Sequence, residues 1–197
     1  MGEILYFAYG SNMLTARLAA RCPSARLMGV AWAEGHAVRF EKRGVDGSGK
    51  CALLPCEGKA AGVLYALDPA DLEALDRFEG VGRGYDRRDL RVRFQEADAQ
   101  ALTYLASDPQ PGLSAFDWYL ALVLAGAEQH GLPASYLATL RDTPFHRDPD
   151  PDRPGRLAAL QALASHGYDG PDALLQPFRN GVQSASTSIS SPTASRS

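Results

Sequence analysis

Two short stretches hold the residues best placed to do chemistry. Tyr9-Gly10-Ser11-Asn12-Met13 follows an apolar run, Ile4 to Ala8, that reads as a buried strand. Leu14, Leu18 and Ala19 then fall on one helical face, so the spacing predicts a helix starting directly after the turn. A strand, a tight turn and a helix N-terminus together make a backbone pocket for an anion. Gly10 can take φ > 0 and lets a ligand come close. The first-turn N–H groups are unpaired and carry partial positive charge. Ser11 or Asn12 can cap the helix. An ordinary capped turn would use the same residues.

The second stretch, Asp68 to Gly80, predicts a helix marked at both ends. Asp68 is a good N-cap and Pro69 suits the first helical position. Leu67 and Leu72 are placed as a hydrophobic staple. Leu72, Leu75 and Phe78 form the expected buried stripe, and Gly80 ends the helix. Glu79 therefore lies in the last turn, where the helix dipole disfavours an anion. In an apolar site burial would raise the pKa of such a carboxyl, and a carboxyl so raised can act as acid or base near neutral pH. Gly80, Gly82 and Gly84 leave open space beside it. A solvated helix-end carboxylate is the competing reading.

Around these stretches the chain predicts many short strands and few helices. Leu27 to Trp32, Ala37 to Phe40, Cys51 to Leu54, Ala61 to Leu67, Leu90 to Phe94 and Ala101 to Leu105 have strand character. Such a set suggests a small, curved, barrel-like sheet. The longest helix is expected over Ser114 to His130, with Ser114 and Asp117 as a capping box and a buried face of Phe116, Leu120, Val123, Leu124 and Ala127. Gly131 stops it, and Pro133 opens a short helix carrying Leu137 and Leu140. Asp148 to Gly155 is a linker by composition, followed by a small helix over Leu157 to His166. The expected organisation is a main domain over 1–147, a linker and helical extension over 148–180, and a disordered Ser/Thr-rich tail over 181–197.

Composition narrows the function classes. The chain has 197 residues, 45% of them hydrophobic and 22% charged, which suits one globular domain. A net charge of −3 argues against a nucleic-acid partner. The basic run Arg83 to Arg93 alternates with Asp and apolar residues, as the wet face of a strand does. No apolar run reaches the ~20 residues that cross a membrane, and no secretory leader precedes Ile4. Three cysteines argue against a disulfide framework, so a cytoplasmic location is expected. His36, His130, His146 and His166 form no i, i+4 pair, and Cys51 and Cys56 lack partners at ligand spacing. No metal and no cofactor are expected. Cys22 reads as a buried structural thiol.

Tyr9-Gly10-Ser11-Asn12 followed by Glu79-Gly80-Val81 resembles the γ-glutamylcyclotransferase family, with its AIG2-like fold. The resemblance continues through Asn12-Met13-Leu14-Thr15-Ala16-Arg17-Leu18, Cys22-Pro23-Ser24-Ala25, Gly62-Val63-Leu64-Tyr65, Thr103-Tyr104-Leu105 and Gly131-Leu132-Pro133-Ala134-Ser135-Tyr136. It implies an α+β fold, a small mixed β-barrel flanked by helices. It implies a small-molecule γ-glutamyl substrate, whose α-amine attacks its own γ-carbonyl to give 5-oxoproline and a free amine. It also implies that Glu79 is the catalytic acid/base. Gly10, Ser11, Asn12 and Met13 would hold the α-carboxylate or the oxyanion, and Tyr85, Tyr104 and Tyr119 would line the pocket. Tyr9 would pack beneath the turn as part of the same site. Glu73 and Asp76 are expected to be solvated helix charges, and Glu128 an exposed one. Three alternatives remain at this level. One is an enzyme specific for γ-glutamylamines or for a γ-glutamyl protecting group. Another is a non-catalytic binder with the same pocket. The third is a nucleotide-binding module, which lacks its further signatures.

Overall fold

The computed structural model describes residues 2–175. The tail expected over 181–197 lies outside the described residues. Five strands close into a barrel in the order β1-β3-β2-β4-β5. They are β1 (Ile4–Ala8), β2 (Arg26–Arg43), β3 (Gly49–Leu67), β4 (Tyr85–Phe94) and β5 (Ala97–Ala106). Neighbours are antiparallel except at the closure, where β1 and β5 run parallel through Tyr6 and Leu102. The sheet is therefore mixed, and helices flank it, as expected.

The pairs of short strands expected between Leu27 and Leu67 are in fact two long, bent ones. β2 and β3 pair along most of their length, and the register shifts at Leu27/Gly29, Glu34/His36 and Arg39/Lys42. Gly29 and Gly35 have φ of 143° and 71°. Bulges of this kind let one strand bend around a barrel without ending. Gly35, which falls between two expected strands, is a bend within one strand.

Helices accompany the barrel: α1 (Thr15–Ala19), α2 (Leu72–Glu79), α3 (Asp117–Gln129), α4 (Ala134–Arg141) and α5 (Pro154–Ala164). The helix expected straight after Gly10 is instead a 3-10 turn, Ser11–Met13, followed by an extended Leu14 and then the short α1. Leu14 and Leu18 are fully buried, but Ala19 is exposed. Gly80 ends α2 as expected, at φ 68°, whereas Asp68 caps the 3-10 turn Pro69–Asp71 that leads into α2, its Oδ1 accepting from the Ala70 N–H at 2.8 Å.

α3 starts at Asp117, and the expected capping box does not form. Ser114 Oγ donates to the Pro144 carbonyl, and Ala115–Phe116 pairs with Phe145–His146 as a two-stranded parallel ribbon, β6 and β7. Every residue from Asp117 to Ala127 is buried, not one face only. The cause is position: α3 packs against α4, α5 and the Ser11–Met13 turn. Gly126 allows the turn to lie directly on it, since a Cβ there would stand 2.5 Å from Leu14 N and 2.7 Å from the Met13 carbonyl carbon. The segment read as a linker is tied down. The Asp148 carboxylate is fully buried against Arg153 and the Trp118 indole N–H, and Ala159 and Leu163 of α5 join the single core.

Candidate active site

The chain leaves β1 at Tyr9 and turns at once. Gly10 has φ −125°, so the expected left-handed turn is not what this position needs. It needs room. A Cβ at Gly10 would stand 3.1 Å from Cys51 Cβ and 3.4 Å from both Cys51 Sγ and the Tyr119 hydroxyl. The Met13 N–H closes the turn on the Gly10 carbonyl at 2.9 Å. At the head of the turn, the Ser11 and Asn12 N–H groups have no backbone acceptor among the described residues. The turn is held from below: Tyr65 donates to the Met13 carbonyl at 2.7 Å, and Thr15 N–H donates to Gln129 Oε1 at 2.9 Å. Neither Ser11 nor Asn12 caps a helix. Ser11 Oγ accepts from Arg17 Nε at 3.1 Å, and the Asn12 amide reaches across to α2.

Glu79 receives that amide. Its Oε1 accepts from Asn12 Nδ2 at 2.8 Å and from Arg21 Nη1 at 3.1 Å. Arg21 Nη1 also donates to Asn12 Oδ1 at 3.0 Å, which closes a three-residue ring. Asn12 Nδ2 lies 2.9 Å from the Tyr6 hydroxyl as well. Oε2 of Glu79 has no hydrogen-bond partner among the described residues. Glu79 does not sit in an apolar site: it forms an ion pair with Arg21, with the two side chains only 15% and 16% exposed. Phe78, expected in the buried stripe, is 58% exposed, because it serves as a platform for the Arg21 guanidinium, 5.0 Å from its ring centroid.

Tyrosines make the rest of the wall. Tyr6, Tyr9, Tyr85, Tyr104 and Tyr119 line a small pocket of about 30 Å³ with Glu79 and the turn. Three hydroxyls are engaged as donors: Tyr9 to the Tyr104 carbonyl, Tyr85 to the Cys51 carbonyl at 2.7 Å, and Tyr104 to Asp76 Oδ1 at 2.7 Å. Tyr119 accepts from the Cys51 N–H at 3.1 Å, and Tyr6 accepts from Asn12. Those two still have an O–H to give. Burial first, and the Glu79 charge in addition, push all five phenols above their ordinary pKa of 10. They are neutral donors at any physiological pH.

The site therefore brings together Tyr9, Gly10, Ser11, Asn12, Glu79, Tyr85, Tyr104 and Tyr119 from separate parts of the chain. Met13 is not on the pocket surface. Its side chain is buried under the turn, beside Gly126. Asp76 is not a free solvated charge, because it accepts from Tyr104 and pairs with Arg87 at 3.1 Å. Glu128 is half-buried and accepts from Tyr168 at 2.8 Å and from Arg141. Glu73 is exposed as expected. Sequence reasoning misses Tyr6, Cys51 and Arg21. Only Arg21 had a local signal, its place one helical turn after Arg17. Burial pushes the Cys51 thiol up to about 12 and the Cys22 thiol up to about 11, so neither is a ready nucleophile. No group of three or more His, Cys, Asp or Glu side chains among the described residues could hold a metal.

Known proteins share this architecture. Residues 59–140 match the model of the AIG2-like family. The human γ-glutamylcyclotransferase is 30% identical over 152 residues, spanning 71% of this chain and 78% of that protein. The Bos taurus γ-glutamylcyclotransferase is 31% identical over 147 residues, spanning 68% and 75%. A solved structure of a γ-glutamyl cyclotransferase superposes with a TM-score of 0.73 at 25% identity, covering 81% of this chain and 98% of that one.

Proposed function

This chain belongs to the γ-glutamylcyclotransferase family, and on that premise we propose that it is an enzyme converting a γ-glutamyl amino acid or γ-glutamyl amine to 5-oxoproline and the free amine. The observation that carries the reading is the Glu79 carboxylate, fixed by Asn12 and Arg21 at the edge of a pocket lined with neutral hydroxyl donors.

The chemistry is an acyl transfer closing on its own molecule. The substrate's α-nitrogen forms a bond to the γ-carbonyl carbon, the amide C–N bond breaks, and no water is consumed. Orientation supplies much of the rate, since a well-placed intramolecular nucleophile is worth on the order of 7–11 kcal/mol. Ring closure needs the glutamyl chain folded back on itself, and the tyrosine wall around Glu79 is where that fold would be held. Glu79 takes the proton released by the attacking amine and returns it to the departing nitrogen. Oε1 is committed to Asn12 and Arg21, so Oε2 is the oxygen that receives the proton. The Ser11 and Asn12 N–H groups, with the free O–H of Tyr119 or Tyr6, supply donors for the α-carboxylate and for the oxyanion. We place the enzyme in the cytoplasm, acting on γ-glutamyl compounds of glutathione metabolism. Two buried thiols and an exposed one, Cys56, suit a reducing compartment. Among the described residues no helix is long and apolar enough to cross a membrane.

The test is release of 5-oxoproline from three compounds: γ-glutamyl-alanine, its glutamyl α-amide and its N-acetyl derivative. The first should be cleaved well, the second poorly and the third not at all. If the N-acetyl compound is cleaved as fast as the free amine, attack comes from water or from the enzyme, and the reading is wrong.

A further inference from the structure

We propose that His130 is a positioning residue of the active site: its Nε2–H, together with the Tyr65 hydroxyl, clamps the Met13 carbonyl and so holds the turn that presents the Ser11 and Asn12 N–H groups to the substrate. The inference rests on the cyclotransferase reading above and gives a role to a histidine that lies outside the pocket.

The need for a clamp follows from the backbone. Ser11–Met13 is a single 3-10 turn, and its own bonds are few. The Met13 N–H reaches the Gly10 carbonyl at 2.9 Å, and the Leu14 N–H reaches the Ser11 carbonyl at 3.4 Å, which is long for such a bond. Leu14 is extended, at ψ 114°, so the turn does not run on into α1. The N–H groups of Arg17 and Leu18 in α1 both go to the Leu14 carbonyl. The Met13 carbonyl is passed over by the helix, yet Met13 is fully buried. A buried carbonyl without a donor is costly, so side chains must supply one.

Two side chains do. Tyr65 of β3 donates at 2.7 Å, and His130 Nε2 lies 3.0 Å from the same oxygen. A carbonyl can only accept, so in the neutral imidazole the hydrogen is on Nε2 and not on Nδ1. Burial lowers the pKa of His130, which keeps it neutral at physiological pH. The Thr15 hydroxyl completes the cluster. Thr15 Oγ1, the Tyr65 oxygen and His130 Nε2 form a triangle 3.1 Å on each side. The Tyr65 O–H is spent on Met13, so Thr15 donates to the Tyr65 oxygen and accepts a share of the Nε2–H. Every contact then joins a donor to an acceptor.

The clamp is effective because both of its arms are rigid. Tyr65 is fully buried, and His130 ends α3, in which every residue from Asp117 to Ala127 is buried. α3 also carries Tyr119, whose hydroxyl lines the pocket. Fastened to α3 through His130, the N–H groups of the turn keep a fixed spacing from that hydroxyl. A preorganised set of donors requires such a spacing. His130 itself does not line the pocket, so it acts through the turn.

The experiment replaces the donor and then returns it. His130→Leu removes the N–H, and His130→Gln can place an amide N–H near the same point. Each is assayed for kcat and KM on γ-glutamyl-alanine by 5-oxoproline release, well below its own melting temperature. His130→Leu should lose roughly 10-fold in kcat/KM, because small displacements made from outside the chemistry are expensive there. His130→Gln should regain most of that loss, and Tyr65→Phe, which removes the other donor, should show a similar one. Nitrogen NMR of the histidine-labelled wild-type protein should find His130 neutral with its hydrogen on Nε2. Wild-type kcat/KM in folded His130→Leu, or His130→Gln no better than His130→Leu, reduces His130 to a brace of the fold and overturns the proposal. A hydrogen on Nδ1 overturns it as well, even where a variant fails to fold. No 5-oxoproline from the wild-type protein overturns the cyclotransferase reading and the role of His130 with it, a result distinct from an active wild type with indifferent variants.

Discussion

Asn12 and Glu79 are 67 residues apart in sequence, and Asn12 Nδ2 lies 2.8 Å from Glu79 Oε1. The Asn12 amide is read unambiguously by its neighbours. Its nitrogen faces two oxygens, of Tyr6 and Glu79, while its oxygen faces the Arg21 guanidinium. Every contact in that arrangement joins a donor to an acceptor. The turn after β1 is thus joined to the end of α2 by a side chain that sequence reasoning would use as a helix cap.

The first prediction concerns the carboxylate. In Glu79→Gln the amide oxygen can still accept from Asn12 and Arg21, so the fold should be kept. The group can no longer take a proton. Turnover should fall by ~10²–10⁴-fold, the usual worth of a general base. The variant is checked by its melting temperature and by 5-oxoproline release. Near-normal turnover in a well-folded Glu79→Gln protein would sink the assignment.

Arg21 should matter for two reasons. It holds both Glu79 and Asn12, and the pair is mostly buried. Arg21→Met removes one partner of that pair and should cost about 1–3 kcal/mol of stability, below the full value for a deeply buried pair. The loosened carboxylate should also lower kcat by at least ~10-fold, because small misplacements at a reacting centre are expensive. Thermal unfolding and kcat, measured together, test this. A variant that loses stability but keeps wild-type kcat would show that Arg21 only braces the fold.

How much of this was legible in the sequence follows from the range of each signal. The C-terminal end of α2 is written locally in Gly80 and is read correctly, while Asp68 and Pro69 mark a 3-10 turn that runs into α2 at Leu72. β2 and β3 are each read as two strands, because a bulge glycine and a strand-ending glycine look alike until the partner strand is known. The pocket tyrosines Tyr85, Tyr104 and Tyr119 are reached through family resemblance, since nothing in their own neighbourhoods separates them from core tyrosines. Tyr6 and Arg21 are missed because their roles depend on partners brought in by the barrel and by α2. Phe78 is misplaced for the same reason, as its exposed ring answers to Arg21 and not to helical periodicity.

Gly126 gives a third prediction, one in which two local effects compete. In the middle of a helix, alanine is favoured over glycine by roughly 0.5–1 kcal/mol. At this position, however, the new Cβ would stand 2.5 Å from Leu14 N and 2.7 Å from the Met13 carbonyl carbon. Backbone cannot swing aside as a flexible side chain can, so the clash should win. Gly126→Ala should destabilise by about 1–3 kcal/mol, as overpacked cores do. It should also lift the Ser11–Met13 turn and reduce activity with it. A stabilised, fully active Gly126→Ala protein would show that the turn is not seated on α3 as described.

The last prediction separates the docked extension from a loose linker. Burial alone would raise the Asp148 carboxyl. Hydrogen bonds from Arg153, the Asp150 N–H and the Trp118 indole outweigh it and hold the group at about 2, down from an ordinary 3.8. The sign follows from linkage. A carboxyl with a depressed folded pKa contributes stability above its unfolded pKa, and that contribution is lost as pH falls through the folded value. The window is therefore about pH 4 down to about 2, and a shift of this size is worth at most about 2 kcal/mol, less what solvent screens at the part-exposed Arg153. Asp148→Asn cannot pair with Arg153, so it should be less stable than wild type at pH 7. The gap between the two melting temperatures should then close as pH drops through that window. Arg153 Nε lies 2.6 Å from Asp148 Oδ2, and the Asp148 side chain is fully covered while Arg153 is 26% exposed. If the gap is absent at pH 7, or stays constant down to pH 2, the Asp148 network does not hold α5 to α3, and the segment behaves as the flexible linker that its composition suggests.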